Sequence, residues 1–246
     1  MTEDVTVQKL VTEINESNEA FLQTEQGKEQ LNNLRRIVPV LIEKGVDNLN
    51  LSMFDPATKT QLLEALGEEY ERKGDTENAI KVYVLAGSQG KLQSLGRHYQ
   101  SVGHVSKAIN CFRLASDEYA LIALGHKCLE DGRVKDAMSA FVLVNDVEAL
   151  SEVGDDCIEK ERWEIAAEIY KTIGNREKLT YVGRECIKNN EYDVGFDALK
   201  AAEDHAGLSE FGDKCLVENK FQLATQAYEA AGNQQMLSFL QENFQR

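Results

Sequence analysis

A tandem repeat of 29 residues runs through most of this 246-residue chain and constrains its fold more than any other feature. Six consecutive units begin at leucines that are 29 residues apart, from Leu63 to Leu208, and Leu237 begins a seventh, incomplete unit. Glycine stands at the fifth position of all six units, as Gly67, Gly96, Gly125, Gly154, Gly183 and Gly212. A repeat of this length is typical of folds in which similar units stack on their neighbours.

Each unit has the pattern of two helices. Apolar residues or cysteine occupy positions one, four and eight, as in Leu121, Leu124 and Cys128, and this spacing lies on one face of a helix. A second apolar face runs from position 14 to position 24. Position 26 always holds Ser, Asp or Asn, which are preferred N-caps. The sequence therefore predicts a hairpin of two helices, about 14 and about 12 residues long, in each unit.

The low proline content supports an all-α fold. The chain has only Pro39 and Pro56, and both precede Leu63, at which the first 29-residue unit opens. An average protein of this length would have about twelve prolines, many of them in turns. Because proline is excluded from helix interiors, the shortage favours a series of helices.

Small residues recur where we expect the two helices of a unit to cross. Glycine at position five and alanine or glycine at position 17 remove side-chain volume, and an aromatic residue at position 21 is expected to fill the gap to a neighbour. Positions 14 and 18 pair a large residue with a small one, as in Trp163 and Ala167. This pairing conserves core volume, so we predict that Trp163 is a core residue.

The repeats divide the chain into three parts. Residues 56–236 form the six repeats, and residues 237–246 form a C-terminal capping half-repeat. Residues 1–55 are predicted to form a divergent helical N-terminal cap, with an amphipathic helix over residues 3–25 and one decayed repeat that Pro39 interrupts. Asp55 is the expected N-cap of a helix that begins at Pro56.

The order of Leu, Gly, Ala, aromatic and Ala, which most positions of the units follow, resembles the tetratricopeptide repeat, whose unit is about 34 residues long. The resemblance covers about three quarters of the chain. It implies a right-handed α-solenoid of stacked antiparallel helical hairpins, in a short and divergent form. Chaperone-binding members of that family use a Lys/Asn/Arg clamp on their first helices, and no Lys or Asn stands at the equivalent positions two, three and six here.

The net charge of the chain limits the classes of partner that we expect. The net charge of −15 disfavours nucleic acid and anionic membranes as partners and favours a basic protein or peptide. No apolar run is long enough to span a membrane and no export signal is evident, so we expect a cytoplasmic protein.

Cysteine recurs every 29 residues, at Cys128, Cys157, Cys186 and Cys215. We predict that these four residues are reduced thiols in the core rather than disulfides or metal ligands. We predict no cofactor, metal site or catalytic residue.

The resemblance places positions two, three, six and ten of the first helices on the concave side, where we expect a partner to bind. The candidate residues at these positions are Arg97, His126, Glu152, Asp155, Glu159, Tyr181, Arg184 and Lys188. The function hypothesis is a non-catalytic scaffold or adaptor that binds a peptide or a partner domain. The alternatives are a subunit or regulator of an enzyme or of a vesicle-transport assembly, or an all-α enzyme whose site the sequence does not reveal. Phe239, in the terminal half-repeat, suggests a homo-oligomer formed through that cap.

Overall fold

The computed structural model describes residues 36–244, in which all regular secondary structure is helical. The predicted capping helix over residues 3–25 lies outside this range. The chain divides into two compact units, Met1–Glu118 and Tyr119–Arg246, called here the N unit and the C unit. The all-α prediction is therefore confirmed for the part of the chain that the structure describes.

The N unit contains five α-helices within its described residues. They are α1 (Val38–Lys44), α2 (Pro56–Arg72), α3 (Thr76–Ala86), α4 (Gln89–Ser101) and α5 (Val105–Leu114), with a short 3₁₀ helix (Val46–Asn48) after α1. The Asp55 carboxylate accepts a hydrogen bond from the Thr58 N–H, which confirms the predicted N-cap of α2. Pro39 lies in the first turn of α1, where proline needs no hydrogen-bond partner. The residues before 36, in which the interrupted helix of the decayed repeat was predicted to begin, lie outside the described range.

The C unit continues the same alternation of longer and shorter helices. Its helices are α6 (Glu118–Glu130, which begins at the last residue of the N unit), α7 (Val134–Val144), α8 (Val147–Glu159), α9 (Trp163–Ile173), α10 (Arg176–Lys188), α11 (Tyr192–Ala202), α12 (His205–Val217), α13 (Phe221–Ala231) and α14 (Gln234–Phe244). The first helix of each complete repeat from α8 onward has 13 residues and the second has 11, close to the predicted lengths.

The two helices of a repeat pack against each other as an antiparallel hairpin. In the first repeat, the Tyr83 hydroxyl of α3 donates to the Glu71 carboxylate near the end of α2, and Ser88 after α3 donates to Glu64 in the middle of α2. As the contacts move forward along α3 they move backward along α2, which is the antiparallel arrangement. Direct packing also joins consecutive hairpins in the C unit, through α9 with α10 and α11 with α12.

Each position-five glycine lies directly against the side chain at position 21 of the same repeat. A Cβ atom on Gly154 would lie 2.7 Å from the Tyr170 ring, and one on Gly125 would lie 2.7 Å from the Phe141 ring. The same relation holds for Gly183 and Leu199, where the distance would be 2.8 Å. The position-21 side chain therefore fills the space beside its own hairpin's glycine, rather than a gap to a neighbouring hairpin.

The remaining predicted core residues are also buried. Trp163 and the five position-17 alanines are in the core, as are all five cysteines, which are free thiols. Burial raises the pKa of the Cys111 thiol to about 11 and that of Cys186 to about 12, so these groups are protonated near neutral pH. At the C-terminal end Leu240 is buried, while the Phe244 ring stacks on Phe221 at 4.6 Å between centroids.

Within residues 36–244, no helix combines the length and the apolar character needed to cross a membrane.

Both turns of the repeat rely on a residue with a positive φ. Position 12 ends the first helix, with Gly132 at φ +72° and Glu161 at φ +55° in the equivalent place one repeat later. Position 25 ends the second helix in the same way, as at Gly174 and Asn145. Glycine adopts this conformation without the steric cost of a Cβ atom, so Glu161 is strained where Gly132 is not.

We predict that Glu161→Gly raises the free energy of unfolding by about 1 kcal/mol, because it removes the Cβ clash of the left-handed conformation. Urea denaturation of the full chain measures this change. The reverse substitution one repeat earlier, Gly132→Glu, is the matched control and should lower stability by a similar amount. If Glu161→Gly is destabilising, the αL residue is not the source of strain.

Candidate interaction surface

Three of the predicted partner-binding residues lie on one face of α8. Glu152, Asp155 and Glu159 follow one another at spacings of three and four residues, so the helix places them in a row, and all three are exposed. Glu152 and Glu159 make no hydrogen bond or ion pair with another described residue. The result is an acidic row along the first helix of the fourth repeat.

Three more predicted residues occupy the equivalent face of α10. Tyr181 is 50% exposed. Arg184 and Lys188 follow it at the same three- and four-residue spacings. The Lys188 ammonium pairs with Glu185 on the same helix, at 2.6 Å. This face is therefore basic and aromatic.

Ion pairs join consecutive repeats here, and one of them links α8 with α10. The Lys178 ammonium, in the first turn of α10, lies 2.6 Å from the Asp155 carboxylate of α8. The Arg184 guanidinium lies 3.2 Å from the carboxylate of Asp204, the N-cap of α12. We call the six residues Glu152, Asp155, Glu159, Tyr181, Arg184 and Lys188 the first-helix patch. The sequence predicted its members, and the pair between Lys178 and Asp155 links the two helices that carry them.

Asp155 also has a structural role that the sequence reasoning missed. Its carboxylate accepts a hydrogen bond from the Tyr170 hydroxyl at 2.6 Å, and that tyrosine is the residue that packs on Gly154. The hydrogen bonds from Lys178 and Tyr170 lower the pKa of Asp155 below its usual value. Burial and the bond to Asp155 raise the pKa of Tyr170, which stays a neutral donor. Asp155 therefore belongs both to the patch and to the hairpin core.

A pairing within the repeats could have revealed this role. Position six is an acid in every repeat whose position 21 is tyrosine, as in Asp155 with Tyr170 and Asp213 with Tyr228. It is Arg or His where position 21 is Phe or Leu. The Tyr228 hydroxyl donates to Asp213 at 2.7 Å, whereas Tyr83 selects Glu71, three residues beyond position six. In each of these repeats the tyrosine hydroxyl thus donates a hydrogen bond to a carboxylate on the first helix.

The other two candidates lie on other helices and are not members of the first-helix patch. His126, on α6, is exposed and its ring meets Phe141 edge-on, with 5.2 Å between centroids. His126 thus covers the end of a ring that has no hydroxyl. Arg97, on α4, is exposed in the N unit and makes no ion pair with another described residue. Both remain predictions as binding residues.

Among residues 36–244, no group of three or more His, Cys, Asp or Glu side chains is arranged to hold a metal ion. No protein-family model matches this chain. A comparison with curated proteins likewise gives no significant match.

We predict that Asp155→Asn lowers the free energy of unfolding at pH 7 by about 1 kcal/mol, because a charged acceptor of two hydrogen bonds is lost. The folded-state pKa of Asp155 is depressed, so the stabilisation is present above its unfolded pKa and is lost as pH falls through the folded value. Urea denaturation from pH 7 to pH 2.5 should therefore show the wild type converging on the variant in acid.

Glu152→Gln is the control for this prediction, because it removes one charge from the same helix without breaking a described hydrogen bond. It should leave stability at pH 7 nearly unchanged. Equal effects of the two substitutions would show that the charge of Asp155, and not its contacts, matters.

Proposed function

We propose that this chain is a non-catalytic interaction scaffold that binds a protein or peptide on the exposed faces of its first helices. The proposal includes a right-handed, tetratricopeptide-like stacking of the hairpins, which would make these faces concave. The repeat spacing supports it, together with the antiparallel hairpins and the direct packing of one hairpin on the next.

The observation that carries the proposal is that the first-helix patch exposes an aromatic ring beside a guanidinium group that is already held in place. Tyr181 offers a half-exposed aromatic ring, and beside it on α10 the Arg184 guanidinium is held by Asp204 while its side chain remains 44% exposed. Tyrosine and arginine are the residues most enriched where proteins bind one another. A side chain that is already held by an internal contact loses less conformational entropy when a partner binds.

The acidic row of α8 gives the patch two chemically different halves. A partner segment with basic residues at one end and an acidic or carboxylate group at the other would match both. Charge complementarity of this kind fixes the direction in which an extended segment lies and accelerates its association. The residues at the patch positions differ from one repeat to the next. The Gly, Ala and Leu positions that form the hairpin core change little.

We predict that Tyr181→Ala combined with Lys188→Ala removes at least one partner in affinity purification from native cell extract, measured by quantitative mass spectrometry. Both side chains are exposed, so the fold should be retained, and circular dichroism checks this. The matched control is Tyr119→Ala, which truncates a tyrosine that is 89% exposed on α6 and outside the patch. Recovery of the same partners by all three proteins would reject the patch as the binding surface.

A further inference from the structure

A groove lies on the other side of the hairpins, among the second helices of the C unit. It has a volume of about 500 Å³ and is lined by residues of α7, α9 and α11, together with Leu179 of α10. Ala167, Val194 and Ala201 line it with small apolar side chains. None of its lining residues belongs to the first-helix patch.

Alanine at two positions that hold large side chains in several other repeats leaves this space open. Position 18 is Ile80, Ile109, Met138 or Phe196 in four repeats and Thr225 in the sixth, but Ala167 in the fourth, where Trp163 fills the core one turn earlier. Position 23 is leucine in the first three repeats but Ala201 in the fifth. Side chains of ordinary size at these places would occupy the space.

Carboxylates line the groove on both of its main helices. Glu164 and Glu168 lie one turn apart on α9, and Asp193 and Asp197 occupy the equivalent positions of α11. All four are exposed, and none makes a hydrogen bond or ion pair through its carboxylate with another described residue. The same positions are Lys135 and Ser139 one repeat earlier and glutamines one repeat later. Among the six repeats, only these two have an acid at both positions, because the first repeat pairs Glu77 with Lys81.

Two lysines, Lys135 and Lys171, also line the groove, so its lining carries four carboxylates against two ammonium groups. This excess of acid adds to the field of a chain with a net charge of −15. A cationic ligand is favoured over an anionic one at such a surface.

We propose that the groove binds a basic peptide segment of a partner protein. One apolar side chain of the segment lies on the small residues Ala167, Val194 and Ala201, and its Lys or Arg side chains pair with the carboxylates of α9 and α11. The volume falls within the range of about 300 to 1,000 Å³ that is usual for ligand sites. This second surface goes beyond the proposed function, because it holds or fails whether or not the first-helix patch binds a partner.

The test begins with a phage-displayed library of random 12-residue peptides selected on the full-length protein. Peptides that are enriched should carry at least two Lys or Arg residues together with an apolar residue. A fluorescein-labelled copy of the most enriched peptide is then titrated with protein variants, and binding is measured by fluorescence anisotropy. Affinity should fall as salt rises, because exposed charge pairs are screened.

Two charge variants separate the groove from the patch. The groove variant is Glu164→Gln, Glu168→Gln, Asp193→Asn and Asp197→Asn; the control is Glu148→Gln, Glu152→Gln, Glu159→Gln and Glu210→Gln, all on first helices. Each variant loses four acidic charges and has a net charge of −11, from −15 plus 4. The groove variant should bind the peptide about tenfold more weakly, since it removes all four carboxylates with which the Lys or Arg side chains of the peptide pair. The control should bind within twofold of the wild type.

A third variant fills the groove without changing its charge. Ala201→Leu places at position 23 the residue found there in the first three repeats, so it should fold and should also weaken binding. Failure to enrich any basic peptide, or equal binding by the groove variant and the wild type, overturns the inference. Loss of binding in the control variant alone also overturns it, while leaving the first-helix patch as the binding surface.

Discussion

The contact between the glycine at position five and the side chain at position 21 sets how closely the two helices of each hairpin approach. Glycine inside a helix costs about 1 kcal/mol relative to alanine, and the chain accepts this cost six times. The structure gives the reason, because a Cβ atom at Gly154 would lie 2.7 Å from the Tyr170 ring. The other repeated features, which are the buried alanines, the cysteines and the αL turns, depend on hairpins of this one spacing.

The same contact shapes the surface of the first helices. Where position 21 is tyrosine, the ring packs on the glycine and its hydroxyl reaches the first helix. There the hydroxyl needs a hydrogen-bond acceptor. Asp155 and Asp213 meet that requirement, and Asp155 in turn holds Lys178 of the next repeat. Phe141 has no hydroxyl and needs no acceptor, and the ring of His126 lies against it instead. The identity of a core residue thus selects the charge of a surface residue.

Much of the architecture follows from the 29-residue period alone. The helix lengths, the N-caps and the buried cysteines were predicted, since each depends on local spacing or on one repeated contact. The Tyr170–Asp155 bond and the groove beside Ala201 were not predicted. Both depend on which side chains of different helices meet, and single-helix periodicity does not contain that information.

A double-mutant cycle on Gly154 and Tyr170 tests the central contact most directly. We expect Gly154→Ala to lower the free energy of unfolding by about 1 to 3 kcal/mol, the usual cost of overpacking. In the Tyr170→Ala background the same substitution should be neutral or stabilising by about 1 kcal/mol, because only the gain in helix propensity remains. Urea denaturation of the four proteins gives the coupling energy. Effects of the two substitutions that simply add would contradict the account, since they would show that the glycine does not exist to admit the ring.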